Sequence, residues 1–281
     1  MPDRRDSPPS APVPPPEPAP GPFGSAEGRW LGNLGRLRDA VRQEVLRDQL
    51  AGLGPLRGGQ ARVLDAGCGQ GTQALHLARA GHQVTGLDPS ERLLGEFRRL
   101  LAAEPPEVAA RVRLVQGTGE DAARLAGTGF GAVLCHGVLG YLDRPGPMVD
   151  QLCRCVDAGG VVSIMTGNAK AGAVRPALER RWADALASFD ARTEIGVLGV
   201  QGRADTVEEL SDLLQSRGVE PVRWYGVWLF VDWLEFSGVE LDPGDSEQIA
   251  ATAAVELEAA RRDPYRQLSR VFHLLGRKPP T

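Results

Sequence analysis

The sequence predicts an α/β protein: a seven-stranded, mostly parallel, doubly wound sheet with helical insertions and a disordered N-terminal tail. Three observations predict it. From about residue 62 to 166, short runs of branched apolar residues alternate with segments of helical periodicity. That is the rhythm of βαβ units, which lay helices on both faces of a parallel sheet. The first run ends in the glycine-rich turn Gly67-Cys68-Gly69-Gln70-Gly71. Residues 1–28 are dominated by Pro, Ala, Ser and Gly, including Pro14-Pro15-Pro16; such a segment buries too little apolar surface to offset its ordering entropy.

The elements follow in order. Leu37 to Leu53 places Leu37, Val41, Val45 and Leu46 on one helical face. Arg62 to Ala66 is a short buried strand, and Thr72 to Ala80 a helix stopped by Gly81. Gln83 to Asp88 is the second strand, Glu91 to Ala103 a helix, Val112 to Gln116 the third strand and Ala132 to Cys135 the fourth. A helix over Met148 to Val156 leads through Gly159-Gly160 to a fifth strand, Val161 to Met165. A helix from Thr206 to Arg217 and a strand from Glu220 to Tyr225 resume the alternation, and Val271 to Leu275 is expected as a closing edge strand. Residues 29–281 therefore form one expected domain, with substrate-side insertions at 167–204 and 227–265; the second holds an alanine- and glutamate-rich helix from about Ser246 to Arg262.

Composition excludes some classes. Hydrophobic residues make up 42% and charged residues 24% of 281, ordinary values for a globular enzyme. No run approaches the ~20 apolar residues of a membrane span, and the N-terminus has no apolar core of a secretion signal, so a cytoplasmic protein is expected. Four scattered cysteines are expected as reduced thiols; Cys153 and Cys155, two apart on a helix, point in different directions and make a poor zinc site. The net charge of −4 lacks the basic excess of proteins that wrap nucleic acid, so any RNA must be held by a local patch.

The chemistry lies at the glycine turn. Glycines accept positive φ and admit a ligand close to the backbone. Asp88 ends the next strand, where its carboxylate could accept both ribose hydroxyls of a nucleoside. A dinucleotide loop would carry glycine where Thr72 stands, so Asp65-x-Gly67-x-Gly69-x-Gly71 suits an amino-acid tail better than a pyrophosphate. His76 and His82 are expected as ordinary surface or helix-end residues.

These motifs resemble the class I S-adenosylmethionine-dependent methyltransferases across about residues 60 to 276. The resemblance implies that Gly67, Cys68 and Gly69 contact the methionine part of S-adenosyl-L-methionine, with Asp65 and Gly71 in the same loop, that Asp88 binds the ribose, and that Glu120-Asp121 grip adenine, whose exocyclic amine is a donor. A narrower resemblance is carried by Gly35-Arg36-Leu37-Arg38, Gly81-His82-Gln83-Val84, Cys135-His136-Gly137-Val138-Leu139, Val231-Asp232-Trp233-Leu234 and the tail from Leu257-Glu258 through Asp263-Pro264-Tyr265 to His273. These are similar to the bacterial tRNA carboxymethoxyuridine methyltransferase family, which esterifies a carboxylate on the wobble uridine of tRNA. It implies Arg38 on the cofactor's carboxylate and His136 over the cofactor. Gly140 before Tyr141 departs from that family's acidic residue, and the first insertion shares little pattern with it.

A carboxylate acceptor is ionised at pH 7 and needs no general base; a hydroxyl or amine acceptor would recruit His136 or Tyr141. An anionic acceptor needs a cation, for which Arg175, Arg180, Arg181, Arg192 and Arg203 are the expected supply. Trp224, Tyr225, Trp228, Phe230, Trp233 and Phe236 are expected as packing, and Tyr141 as the stacking residue. tRNA and a small metabolite both remain open as acceptors, as does a cofactor-binding protein without turnover.

Overall fold

The structure, a computed structural model, describes residues 27–28, 37–196, 199–237, 242 and 244–280, and of 235–237 the backbone alone. The expected tail lies outside these residues except for Glu27 and Gly28, as do Gly35 and Arg36.

One helix, α1 (Leu37–Ala51), precedes the sheet. Then follow β1 (Arg62–Ala66), α2 (Thr72–Arg79), β2 (Gln83–Asp88), α3 (Glu91–Leu101), the short α4 (Pro106–Ala109), β3 (Val112–Gln116), α5 (Ala122–Leu125), β4 (Phe130–His136), α6 (Gly146–Cys155) and β5 (Val156–Gly167). The first insertion contributes α7 (Val174–Leu178), α8 (Trp182–Ser188) and a hairpin of β6 (Thr193–Ile195) with β7 (Gln201–Arg203). Next come α9 (Val207–Gln215), β8 (Glu220–Val227), α10 (Phe230–Ser237), α11 (Ser246–Ala259) and β9 (Val271–Arg277).

The seven strands run in the order β3-β2-β1-β4-β5-β9-β8. β1 to β5 pair in parallel, while β9 is antiparallel to both β5 and β8. β9 is therefore not the closing edge strand that its position near the chain end suggested. Six of its seven residues are buried, a pattern that requires cover on both faces and a neighbour on each side. β8, with an alternating and largely exposed beginning, is the edge. Strand order reverses between β1 and β4, the place where ligands bind in open α/β sheets.

Successive residues of the parallel strands bury in opposite layers. Leu64, Val133, Val162 and Phe272 meet α6 and α9 on one face. Val63, Val84, Ala132 and Leu134 meet α2 and α3 on the other. A third cluster under α1, α10 and α11 joins Val41, Val45 and Leu46 to Met165, Trp228, Val231 and Val271. Local chemistry fixes the helix starts. Ser90 accepts from the Leu93 amide at 3.2 Å, and Thr206 with Glu209 forms a reciprocal cap at α9. His82, expected as an ordinary surface or helix-end residue, follows the end of α2, where its amide donates to the Leu77 carbonyl; it is 3% exposed and its ring accepts from the Ala61 amide.

The four cysteines are buried free thiols, and no cluster of metal-ligating side chains occurs among the described residues. No described helix is long and apolar enough to cross a membrane.

Candidate active site

The carboxyl ends of β1 and β2 form one wall. Gly67, Gly69 and Gly71 have φ of +81°, +54° and +87°, the region that favours glycine. Two of them also answer to packing. A Cβ on Gly67 would meet Val138 Cγ2 at 2.2 Å, and one on Gly71 would meet the Phe97 ring at 2.3 Å.

The loop's amide groups are largely committed to the protein. Gly67 and Cys68 donate to the Leu87 carbonyl at 2.7 and 3.2 Å, and Gly71 donates to the Cys68 carbonyl at 2.9 Å. Gly69 donates to Asp88 Oδ2 at 2.8 Å, and Ser90 donates to Asp88 Oδ1 at 2.9 Å. An anion such as a pyrophosphate is held by amide donors that point at it. Here Gly67, Cys68, Gly69 and Gly71 spend their amides within the protein, and the buried carboxylates Asp65 and Asp88 lie beside the loop. Carboxylates beside the loop suit an ammonium, a sulfonium and ribose hydroxyls and repel a pyrophosphate. The residues present therefore fit S-adenosyl-L-methionine better than a dinucleotide.

Asp65 sits behind the loop, 3% exposed. Burial, reinforced by Asp88 and opposed by Arg42, pushes its carboxyl up to about 7. Asp88 is raised as well, first by burial, with the Ser90 and Gly69 amides pulling it back and Glu27 raising it further. The Cys68 side chain is buried, and burial raises its thiol. Glu120 and Asp121 are exposed on the short 3-10 turn after β3, where Asp121 pairs with Arg124 at 3.1 Å.

Facing this wall is the end of β4. His136 is half-buried and neutral: burial, then His273, then Arg42 depress it well below the usual histidine range. Tyr141 follows on a 3-10 turn, its phenol pushed up to about 12 by burial and Glu194. At neutral pH it is a donor, not a base. With Gly137, Met165, Arg42, Arg203 and Arg270 it lines a cavity of about 90 Å³. A larger cavity of about 300 Å³, under α7 and α8, adjoins it through Glu194 and Arg270.

The arginines are distributed differently from the expected stripe. Arg181 pairs with Glu179 and Asp184, Arg192 with Glu209 and Arg203 with Asp205, since each lies within a turn or a strand crossing of a carboxylate. Arg180 stands at φ +59° where α7 ends. Arg175 pairs with Glu179 at 2.9 Å and reaches within 3.6 Å of Asp232. Arg38 lies in the same group, 2.8 Å from Asp232, with Arg270 at 3.6 Å. Arg270 is only 8% exposed and donates to the Ile195 carbonyl. Arg42, one turn beyond Arg38, is the arginine whose charge acts on Asp65 and His136. Sequence reasoning passed over Arg42, Glu194 and Arg270. Arg42 had a signal, its i+4 spacing from Arg38; the others had none.

The expected packing role suits Trp228, 9% exposed, with the Arg38 and Arg42 guanidinium groups 5.4 and 5.8 Å from its ring and its indole donating to the Arg38 carbonyl.

Fold and site together define a nucleoside-binding α/β enzyme of the methyl-transfer kind. Comparisons agree: residues 63–160 match a family model described as a methyltransferase domain. The chain is 32% identical over 182 residues to a ubiquinone biosynthesis O-methyltransferase of Paracidovorax citrulli, covering 60% of this chain and 70% of that one. It is 28% identical over 247 residues to a tRNA 5-carboxymethoxyuridine methyltransferase of Escherichia coli O157:H7, covering 87% and 89%. Solved structures share the fold: a magnesium protoporphyrin IX methyltransferase from Synechocystis with bound S-adenosylhomocysteine (TM-score 0.53, 16% identity, 86% and 84% covered) and an S-adenosylmethionine-dependent methyltransferase from Mesorhizobium loti (TM-score 0.53, 18%, 83% and 96%). The chain belongs to the class I S-adenosylmethionine-dependent methyltransferases, and S-adenosyl-L-methionine is its cofactor.

Proposed function

We propose that the enzyme esterifies a carboxylate, that of a modified wobble uridine in tRNA. The observation that carries this is the cavity beside Tyr141, lined by Arg42, Arg203 and Arg270 against one carboxylate, Glu194, with a neutral histidine nearby. Guanidinium groups that outnumber carboxylates in the lining favour an anion, and an ionised carboxylate is its own nucleophile. The similarity to the tRNA enzyme over most of both chains supports the same reading.

The cofactor supplies an electrophilic methyl group. The protein's contribution is placement and exclusion of water. Asp65 and the backbone of Gly67, Cys68, Gly69 and Gly71 would hold the amino-acid end, Asp88 the ribose, and Glu120 with Asp121 the adenine amine. Arg38, from α1, would close over the amino-acid end, with Asp232 keeping its guanidinium in place. Arg270 and Arg203 would draw the acceptor's carboxylate in, and the Tyr141 hydroxyl, a donor at every physiological pH, would orient it. Residues 29–281 would act as one domain, with 167–204 and 227–265 building the acceptor side.

A small carboxylate- or hydroxyl-bearing metabolite is the second reading. The β6–β7 hairpin over a small cavity, the net charge of −4 and the ubiquinone-pathway relatives favour it. One assay separates the two. The enzyme is incubated with methyl-labelled cofactor and either tRNA bearing carboxymethoxyuridine or a small-molecule extract. Esterification of tRNA predicts label in the RNA that mild alkali releases as methanol. Label that survives alkali, or label confined to small molecules, overturns the proposal.

A further inference from the structure

A chain of polar side chains runs through the apolar end of the sheet. His136 on β4, Met165 on β5 and His273 on β9 are register-matched neighbours. Ser163, two residues before Met165, shares its face of the sheet. Its hydroxyl lies 2.8 Å from His136 Nε2 and 2.7 Å from His273 Nε2. On the far side, His273 Nδ1 lies 2.6 Å from Gln49 Oε1, which reaches down from α1. Ser163, His273 and Gln49 are at most 3% exposed. Buried polar groups are costly unless hydrogen-bonded, and here the Ser163 hydroxyl, both His273 ring nitrogens and the Gln49 carbonyl oxygen are partnered within the chain.

The polarity of such a chain is all-or-none. A neutral imidazole has one N–H and one lone pair, so the first partner dictates every later one. The Gln49 carbonyl oxygen can only accept, so His273 Nδ1 carries the proton and its Nε2 is the acceptor. The Ser163 hydroxyl then donates to His273 and accepts from the N–H at His136 Nε2. His136 Nδ1 is left as the lone pair; it is buried and makes no hydrogen bond within the protein. The opposite polarity would put an N–H there, with no acceptor for it within the protein.

We propose that Gln49, His273 and Ser163 are positioning residues that lock His136 in one neutral tautomer, Nε2 protonated and Nδ1 a lone-pair acceptor. His136 therefore offers the methyl-transfer site an acceptor nitrogen and never an N–H. The consequence for ligand binding rests on the reading of His136 as a cofactor-side residue; the tautomer itself does not.

The test uses the full-length enzyme with its histidine ring nitrogens labelled with 15N, read through long-range proton–nitrogen correlations. His136 is assigned by the loss of its signals in His136→Asn. The expected wild-type spectrum shows an N–H-type shift at Nε2 and a lone-pair-type shift at Nδ1. Ser163→Ala, which removes one small hydroxyl, should mix the two tautomers, and Ser163→Thr should restore one. Binding of S-adenosylhomocysteine should weaken about 5- to 10-fold in Ser163→Ala and recover in Ser163→Thr. A wild-type N–H at Nδ1, or a Ser163→Ala spectrum that does not change, overturns the relay. Mixed tautomers with unaltered affinity leave the relay standing and overturn the cofactor-side placement of His136.

Discussion

Replacing Asp88 tests two functions of one side chain. Its oxygens each accept a backbone amide, from Gly69 at 2.8 Å and Ser90 at 2.9 Å, while it is 6% exposed. Asp88→Ala orphans both amides, at about 1–3 kcal/mol each for a buried unpaired donor. Burial has raised the carboxyl above its usual range, so removing it also relieves a desolvation cost, and the lower end applies: about 2 kcal/mol. For a chain of this size that lowers the ligand-free melting temperature by about 4–8 °C. Loss of the ribose bonds should add about 1.5–3 kcal/mol in cofactor affinity, roughly 10- to 150-fold. Asp88→Asn keeps one acceptor oxygen but turns an amide donor toward the other N–H, so it should melt between wild type and Asp88→Ala. Differential scanning fluorimetry without ligand and calorimetry with S-adenosylhomocysteine separate the effects. A ligand-free Asp88→Ala that melts with wild type would refute the structural half of the argument, whatever happens to binding.

Other outcomes follow from the same geometry. Gly67→Ala should lose about 2 kcal/mol or more from backbone strain and its collision with Val138 Cγ2; adding Val138→Ala should recover the collision's share in urea unfolding, and no recovery would locate the whole cost in the backbone. His273 is depressed by burial to about 3, so the folded state binds fewer protons than the unfolded one below pH 6.5. Its contribution is therefore intact above 6.5 and lost as pH falls from 6.5 toward 3, by about 1.4 kcal/mol per unit. Asp65, raised to about 7, works in the opposite sense, so the comparison is between wild type and His273→Gln unfolded in urea at pH 6 and pH 5. Equal slopes would mean His273 is not held neutral. Asp232→Ala should cost about 3 kcal/mol, because it leaves the nearly buried Arg38 and Arg270 without their carboxylate; a variant as stable as wild type in the same assay would show that solvent reaches the cluster. Arg270→Gln should raise KM for the acceptor while leaving S-adenosylhomocysteine affinity unchanged, and equal losses in both would move Arg270 to the cofactor side.

The meeting of the glycine loop with Asp88 was legible because it is local. Strand, glycine loop, helix and next strand lie within residues 62–88, and a parallel βαβ unit has one favoured hand, so Asp65, the glycines and Asp88 could be brought together from spacing alone. The opposite wall was not. Arg42, Arg270 and the hairpin that carries Glu194 and Arg203 are far apart in the chain and converge only because β9 inserts between β5 and β8 and the β6–β7 hairpin folds over the end of β5. Ser163 within Val161–Met165 and His273 within Val271–Leu275 were visible as polar residues inside apolar strands. Which partners they had depended on pairing across β4, β5 and β9.

The α/β class, the alternation of β1 to β5 with their helices, and the meeting of the glycine loop with Asp88 were written in the chain, since these depend on backbone conformation and on contacts between neighbours in the chain. Long-range packing set that the last strand is internal, that Arg38 meets Asp232 while Arg42 lies over the Trp228 ring, and that His136 is tied through Ser163 to His273. Those outcomes depend on which distant segments share a desolvated space, where the partner of a buried charge or ring is set by packing and not by sequence separation.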